Sequence, residues 1–347
     1  MGLRYGVIDA SLPRRGGKPP AFGEPPFDDV DPNSSLFGMP VMRAPEHELF
    51  HAAALALLPA WDRYWLHLMT QGIAPGGAAS QASSSLRRLT RVILQWERVR
   101  VITGEPPTYS RADELLDVLT LAFVHLMGLF DALAVVAAKV TGPMVKGKLI
   151  KEERIAWQNE DFLTALAAVA PSIAAIMARG STQELSLSAI RTIRNTIHKQ
   201  MPDPTLSQSG PDPLLTEHMI MFECGAHDEV VDALQRAGWT KYVGATVTAD
   251  MSLIQPDLAK GMLFIRPRLL LGCALSDAVP IINALMAATP VESLGPPIEA
   301  LDPGRSLYPL SLQRYAADKF GLTHLAKSLG TLPGFTDDEH AQHRRPS

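Results

Sequence analysis

Two arginines and a histidine late in one predicted helix have the residue types that RNA cleavage without a metal ion requires. They lie in the segment 191–198, Arg-Thr-Ile-Arg-Asn-Thr-Ile-His. A helix advances about 100° per residue, so Arg191, Arg194 and His198 fall within a stripe roughly 60° wide. An arginine holds a phosphate through paired hydrogen bonds, and a histidine exchanges a proton near neutral pH. We therefore predict a catalytic site formed by Arg191, Arg194, Asn195 and His198.

The helix that positions these side chains has clear sequence signals. Ser181 followed by Glu184 forms a capping box after Gly180, and prolines at 202 and 204 predict an end near residue 200. An apolar seam lies roughly 100° from the basic stripe. Its members are Ile190, Ile193 and Ile197. The basic groups are therefore expected at the edge of a buried face.

The sequence Arg194-Asn195…His198, late in a helical region, resembles the motif of the HEPN superfamily. The resemblance covers roughly residues 46–200 and implies an all-α domain that dimerises and cuts RNA without metal. It implies that His198 moves the proton and that Arg194 or Arg191 holds the phosphate. Asn195 then positions the phosphate or orients the imidazole. Arg194 leaves three residues before His198 and Arg191 leaves six, so the choice of arginine stays open.

A second basic group lies on an earlier predicted helix, residues 84–102. Arg87, Arg88 and Arg91, with Arg98 and Arg100 further along, give this helix a basic face. If this helix lies beside the helix that contains Arg194 and His198, we expect its basic face to bind phosphates. Otherwise the basic face is a solvated surface.

His47-Glu48-Leu-Phe-His51 matches the zinc-binding pattern H-E-x-x-H. Pro45 places this match in the first turn of its helix, and no further glutamate follows until Glu97, so a third ligand is missing. We expect no metal and no cofactor, and keep His47 and His51 as weak zinc candidates. If no zinc binds, Glu46 and Glu48 stabilise the positive N-terminal end of the helix.

Two polar residues interrupt the most apolar stretch, Leu115 to Val140. Asp131 is expected to pair with an arginine, to orient His198, or to form a salt bridge inside the bundle. His125 is expected to be a hydrogen-bonded core histidine. The charged residues in and beside this stretch favour a buried bundle helix over a membrane span.

Composition excludes several classes of function. The 347 residues are 46% hydrophobic and 20% charged, with a net charge of −4, so RNA contacts must come from a local patch. Phosphate-binding glycine loops and a nucleophile elbow are absent from the sequence, which disfavours kinases, nucleotide-driven motors and ordinary hydrolases. Cys224 and Cys273 lack metal-type spacing, and the N-terminus lacks an apolar signal core, so we predict a cytoplasmic protein.

Periodicity predicts a mainly α protein, a helical bundle with a small C-terminal α+β extension. The predicted units are an extended Pro/Gly-rich arm (1–45), the bundle (46–200), a linker (201–214), an α+β region (215–300) and a C-terminal helix with a polar tail (301–347). Within the bundle we predict helices at 46–72, 84–102, 110–140, 150–158, 160–178 (bent at Pro171) and 181–200. Beyond it we predict strands at 218–224, 242–249 and 262–265 and helices at 228–237, 267–288 and 311–329.

Together with the HEPN resemblance, these features predict a metal-independent endoribonuclease or RNA-binding protein of a defence or toxin-type system. The resemblance implies a homodimer, with RNA and a cognate antitoxin as partners, and we expect no membrane contact. The alternative is a non-catalytic helical protein for assembly or partner binding. A zinc hydrolase through His47 and His51 ranks third.

Overall fold

The computed structural model describes residues 6–7, 41–42, 45–199, 202–208, 216–222, 226–240, 242–243, 246–247, 263–297, 308 and 310–330. Eleven α-helices lie in these ranges, and the mainly α fold is confirmed. They are α1 (Pro45–Ala56), α2 (Trp61–Leu68), α3 (Ala78–Thr103), α4 (Tyr109–Thr141), α5 (Glu160–Val169), α6 (Pro171–Ile176), α7 (Thr182–Lys199), α8 (Ala226–Arg236), α9 (Pro267–Ala288), α10 (Leu310–Lys319) and α11 (Thr323–Ser328).

The centre of the bundle is an antiparallel hairpin of α3 and α4, the most extensively packed pair of helices among the described residues. The short connection 104–108 forces the two helices to run side by side. The Thr108 hydroxyl accepts a hydrogen bond from the Arg111 N–H at 3.3 Å, so Thr108 caps α4. Gly142 ends α4 in the left-handed conformation, with a φ of 60°.

Helix α3 begins earlier than the sequence predicts. The predicted helix begins at residue 84, but α3 starts at Ala78. Ala79, Ala82 and Ser85 are buried, so packing against the bundle favours a helix where small residues alone gave no periodic signal.

Two predicted helices are each divided at a residue that cannot continue them. The predicted helix 46–72 separates into α1 and α2 around Pro59, which has no N–H to donate. The predicted helix 311–329 separates into α10 and α11 at Gly321, which has a φ of +66°. The bend predicted at Pro171 is a complete break between α5 and α6.

The predicted helix at 150–158 is wrong. A hairpin of β3 (Met144–Val145) and β4 (Lys148–Leu149) precedes a single 3₁₀ turn at Glu152–Arg154. The hairpin turns at Lys146 and Gly147, which have φ values of 51° and 73°. The left-handed conformation at two successive residues is the signature of a tight hairpin turn.

The extension after α7 contains a four-stranded antiparallel sheet with the order β5-β6-β8-β7. Its strands are β5 (Asp203–Gln208), β6 (Thr216–Phe222), β7 (Thr246–Val247) and β8 (Leu263–Ile265). Part of the predicted linker 201–214 is therefore strand β5, which pairs along its whole length with β6 despite Pro204. β5 is the edge strand of the sheet, where a proline is tolerated.

Helix α9 joins the extension to the bundle. It packs against α3, α4 and α7, and its buried side chains belong to the same hydrophobic cluster as those of the bundle. The Asn283 side chain donates to the Leu57 carbonyl at 2.7 Å and the Val279 carbonyl at 3.0 Å. The Asp277 carboxylate accepts from Ser186 Oγ at 2.5 Å and Trp239 Nε1 at 2.8 Å.

The predicted arm lies outside the described residues apart from the strands β1 (Gly6–Val7) and β2 (Val41–Met42), which pair antiparallel. The polar tail beyond residue 330 also lies outside them.

Two helices of the described part are long and apolar enough to cross a membrane, α4 and α9. In each, 61% of the most apolar window is buried inside the protein, as in the core helix of a bundle. Such helices occur both in soluble cores and in membranes, so the predicted cytoplasmic location stays a prediction.

Candidate functional site

A cavity of about 300 Å³ opens between α1, α3 and α4, and basic side chains line it. Helix α3 contributes a stripe with the spacing i, i+3, i+4, i+7, which is one face of a helix. The lining residues are His47 and His51 from α1, Ser84, Arg87, Arg88 and Arg91 from α3, and His125 from α4. We call this cavity the basic pocket.

The basic pocket brings together two groups of residues that the sequence left separate. Arg87, Arg88 and Arg91 were predicted to bind phosphate, and His47 and His51 were weak zinc candidates; all five line the pocket. No carboxylate is among its lining residues in the described part of the chain. Three arginines that stay protonated therefore give the pocket a positive charge.

Arg88 is set into the surface of α4. A Cβ placed on Gly128 would come within 2.6 Å of Arg88 Cζ, so the guanidinium lies directly against the α4 backbone. Arg88 Nε is buried and has no hydrogen-bond partner among the described residues. Buried N–H groups are rarely left without an acceptor, so Arg88 Nε is an exception among the described residues.

His125 is not the hydrogen-bonded core histidine that we predicted. Its side chain is half-buried and lines the basic pocket, and its Nδ1 has no hydrogen-bond partner within the described ranges. Burial, together with the charges of Arg88 and Arg91, lowers the pKa of His125 below its ordinary value. This imidazole is therefore neutral near pH 7 unless an anion binds beside it.

His51 is held by a hydroxyl of α3. Its Nδ1 lies 3.3 Å from Thr90 Oγ1, and that hydroxyl also donates to the Leu86 carbonyl at 3.0 Å. Thr90 has a single hydroxyl proton, so the imidazole Nδ1–H donates to Thr90.

The remaining arginines of α3 are paired with carboxylates. Arg98 Nη2 lies 3.2 Å from Glu114 Oε1, and Arg100 Nη1 lies 2.8 Å from Glu97 Oε2. Arg87 and Arg88 have no carboxylate within 4 Å among the residues that the structure describes. The basic face predicted for this helix therefore divides into an N-terminal part in the pocket and a neutralised C-terminal part.

The residues of the α7 motif lie outside the basic pocket. The isoleucine seam of α7 is buried as predicted, Arg191, Arg194 and Asn195 are half-buried, and His198 is exposed. Arg194 Nη1 donates to Asn195 Oδ1 at 3.0 Å. Arg191 lies beside Ser188 in a crevice of only about 10 Å³, which is the space of a single water.

Asp131 connects the two groups electrostatically. The charges of Arg88 in the pocket and Arg194 on α7 both act on its carboxyl. Its side chain is exposed, yet the protein atoms crowded around the carboxyl raise its pKa in spite of both arginines. Asp131 forms no ion pair within 4 Å among the described residues, so the arginines act on it only through their charges.

Metal binding has no support in the described part of the chain. No three side chains of His, Cys, Asp or Glu lie close enough together there to hold an ion. His47 and His51 thus have no third ligand among the residues that the structure describes.

Fold and site together define a mainly α-helical bundle with a small antiparallel β extension and a basic pocket between three helices. Comparisons with models of protein families, with curated proteins and with solved structures found no match.

Proposed function

We propose that this protein binds RNA, and that the basic pocket holds phosphate groups of the strand. The observation that supports this proposal is the lining of the pocket, with three arginines, three histidines and a serine in a cavity of about 300 Å³. Arginine forks match the geometry of phosphate oxygens, and a serine hydroxyl and imidazole N–H groups add further donors. The pocket supplies the local patch that a chain with a net charge of −4 needs.

The test is RNA binding measured by fluorescence anisotropy over a range of salt concentrations. We expect Arg87→Ala, Arg88→Ala and Arg91→Ala each to weaken binding and to reduce the salt slope by about 0.7, the value for one lost contact to a single strand. Arg98→Ala is the matched control, because Arg98 lies on the same helix but pairs with Glu114. Equal losses in Arg88→Ala and Arg98→Ala would contradict the proposal.

Cleavage of the bound RNA is a second proposal, centred on α7. Its support is that Arg194, Asn195 and His198 lie together beside a buried seam and remain partly or fully exposed. His198 would exchange the proton of the ribose 2′-hydroxyl, and Arg194 or Arg191 would stabilise the phosphate charge. The HEPN resemblance rests on these residues alone, and with it we propose a cytoplasmic homodimer with a cognate antitoxin.

The test of cleavage is incubation with RNA in EDTA, comparing the wild type with Arg194→Ala, Arg191→Ala and His198→Ala. We expect activity that survives chelation, leaves 2′,3′-cyclic phosphate ends and is lost in His198→Ala and in one arginine variant. Absence of cleavage by folded wild-type protein would contradict this proposal and favour the non-catalytic alternative. That alternative has its own support, since Asn195 and the charge of Asp131 already engage Arg194.

A further inference from the structure

We infer that the basic pocket recognises a terminal phosphate of the RNA, a phosphomonoester, in preference to the phosphodiesters inside the strand. This inference rests on the proposed function and adds the chemical group that the site selects. Three features of the described residues lead to it, namely the shape of the pocket, its charge and its unsatisfied donors.

The shape of the pocket suits the end of a strand. Its walls come from three helices, with α1 and α4 on either side of the α3 stripe. At about 300 Å³ it is at the lower end of ligand-pocket volumes, enough for a phosphate with little more than a nucleoside. A strand leaves an internal phosphate in two directions and a terminal phosphate in one, so a cavity with helices on three sides admits the end of a strand more easily than its middle.

The charge of the pocket favours the same group. A phosphodiester carries one negative charge and two free oxygens, whereas a phosphomonoester at neutral pH carries nearly two charges and three strong acceptor oxygens. Three arginines converge on the cavity without a carboxylate among its described lining residues. A phosphomonoester, with its larger charge and its third oxygen, therefore gains more binding free energy from this lining than a phosphodiester does.

Two nitrogen atoms at the pocket, Arg88 Nε and His125 Nδ1, have no hydrogen-bond partner among the described residues. Arg88 Nε is buried without a hydrogen-bond partner in the part of the chain that the structure describes, and the guanidinium is confined against Gly128. Arg88 Nε is closed to solvent, so a phosphate oxygen would satisfy it only after the guanidinium moves toward the cavity. The charge of the phosphate would also favour protonation of His125, whose Nδ1 then becomes a donor.

The experiment compares RNA strands of one sequence with a 5′-phosphate, with a 3′-phosphate or with hydroxyls at both ends. Calorimetry measures the binding of each strand, and also that of a nucleoside monophosphate and of the matching nucleoside. We expect one of the two phosphorylated strands to bind at least about tenfold more tightly than the strand with hydroxyls at both ends. The strand that binds more tightly shows whether the pocket recognises a 5′-phosphate or a 3′-phosphate. Arg88→Ala should abolish this preference, and Arg98→Ala should preserve it.

Arg88→Lys is the second variant, in case Arg88→Ala does not fold. It keeps the charge and removes the planar fork, so the preference should fall while the protein melts as the wild type does. Equal binding of phosphorylated and hydroxyl strands would overturn the inference and leave RNA binding intact. A nucleoside monophosphate that binds as tightly as the strand would support phosphomonoester recognition and contradict RNA as the ligand.

Discussion

The Arg88 guanidinium occupies the space that a side chain at Gly128 would fill. A Cβ there would approach Arg88 Cζ to 2.6 Å, so the two residues on neighbouring helices fit only because position 128 is glycine. Gly128 lies within α4, where a glycine weakens a helix relative to alanine. The glycine therefore costs helix stability and positions an arginine of the basic pocket.

Gly128→Ala should separate binding from stability. The new methyl group displaces the flexible end of Arg88, and alanine contributes up to about 1 kcal/mol of helix propensity. We expect an unfolding free energy equal to or above that of the wild type, with weaker binding of phosphorylated RNA. Urea denaturation and calorimetry measure the two quantities.

Gly272→Ala is the matched control for this variant. A Cβ at Gly272 in α9 would lie 3.7 Å from the Trp96 ring, which is an ordinary contact. We expect this variant to be at least as stable as the wild type and to bind RNA unchanged. Weaker binding in both glycine variants would show that the loss in Gly128→Ala does not come from Arg88.

His125 should make both stability and anion binding depend on pH. Burial and then Arg88 and Arg91 lower its pKa, so the folded protein binds fewer protons at this site than the unfolded chain. Its contribution to stability is present above the unfolded pKa of about 6.5 and is lost as the pH falls below it. The groups facing it are the pocket residues Arg88 and Arg91 from α3 and His47 and His51 from α1.

The measurement is the unfolding free energy between about pH 7.5 and pH 5.5, with and without sulfate, which keeps its two charges over this range. Without sulfate we expect a smaller fall with pH in His125→Gln than in the wild type. With sulfate we expect the wild type to gain more stability at the lower pH, where protonation of His125 adds a positive charge to the pocket. His324→Gln, at an exposed position, is the control and should follow the wild type. A His125→Gln profile identical to that of the wild type would contradict this assignment.

The sequence predicted the helices well where an apolar stripe and an end signal agreed. The buried seam of α7 and its capping box are as predicted, with Ser181 Oγ accepting from the Glu184 N–H at 3.1 Å. The predictions failed where tertiary packing decided, as at the start of α3, or where one residue interrupted a periodic pattern, as at Pro59.

The basic pocket was only partly predictable, because it depends on the pairing of helices. The arginines of α3 and the histidines of α1 were recognised as separate groups, and His125 was assigned to the core. One signal was available in the short connection 104–108. In an antiparallel hairpin, residues about 4.5 turns before and after such a connection face each other, which places Arg88 opposite His125. The choice of α1 as the third wall has no comparable signal in the sequence.

Asn283 should contribute to stability through the join between α9 and the α1–α2 turn. It is 8% exposed, donates to the Leu57 and Val279 carbonyls, and accepts from the Ala60 N–H at 3.4 Å. We expect Asn283→Ala to lower the unfolding free energy by about 2 kcal/mol, because it leaves the buried Leu57 carbonyl without this donor. Asn283→Asp should lower it further, since a carboxylate oxygen would face two carbonyls. Ser276→Ala, at an exposed position of the same helix, should be neutral in urea denaturation.

Asp277 should hold the extension against α7. One oxygen, Oδ2, accepts from both the Ser186 hydroxyl and the Trp239 indole N–H, and these two residues are 1% and 3% exposed. Asp277→Ala leaves two buried donors without their acceptor, and we expect a loss of about 3 kcal/mol in the unfolding free energy. Asp277→Asn keeps one oxygen that can accept from both, so its loss should be smaller.

The same substitution has a chemical readout at Cys273, one helical turn away. Burial, followed by the charge of Asp277, raises the pKa of the Cys273 thiol to about 11, so little thiolate forms near pH 8. Asp277→Asn removes the charge and should increase the rate at which iodoacetamide alkylates Cys273. Peptide mass mapping over time measures this rate. An unchanged rate in a variant that melts as the wild type does would mean that burial alone protects this thiol, and that the Asp277 carboxylate acts only through its two hydrogen bonds.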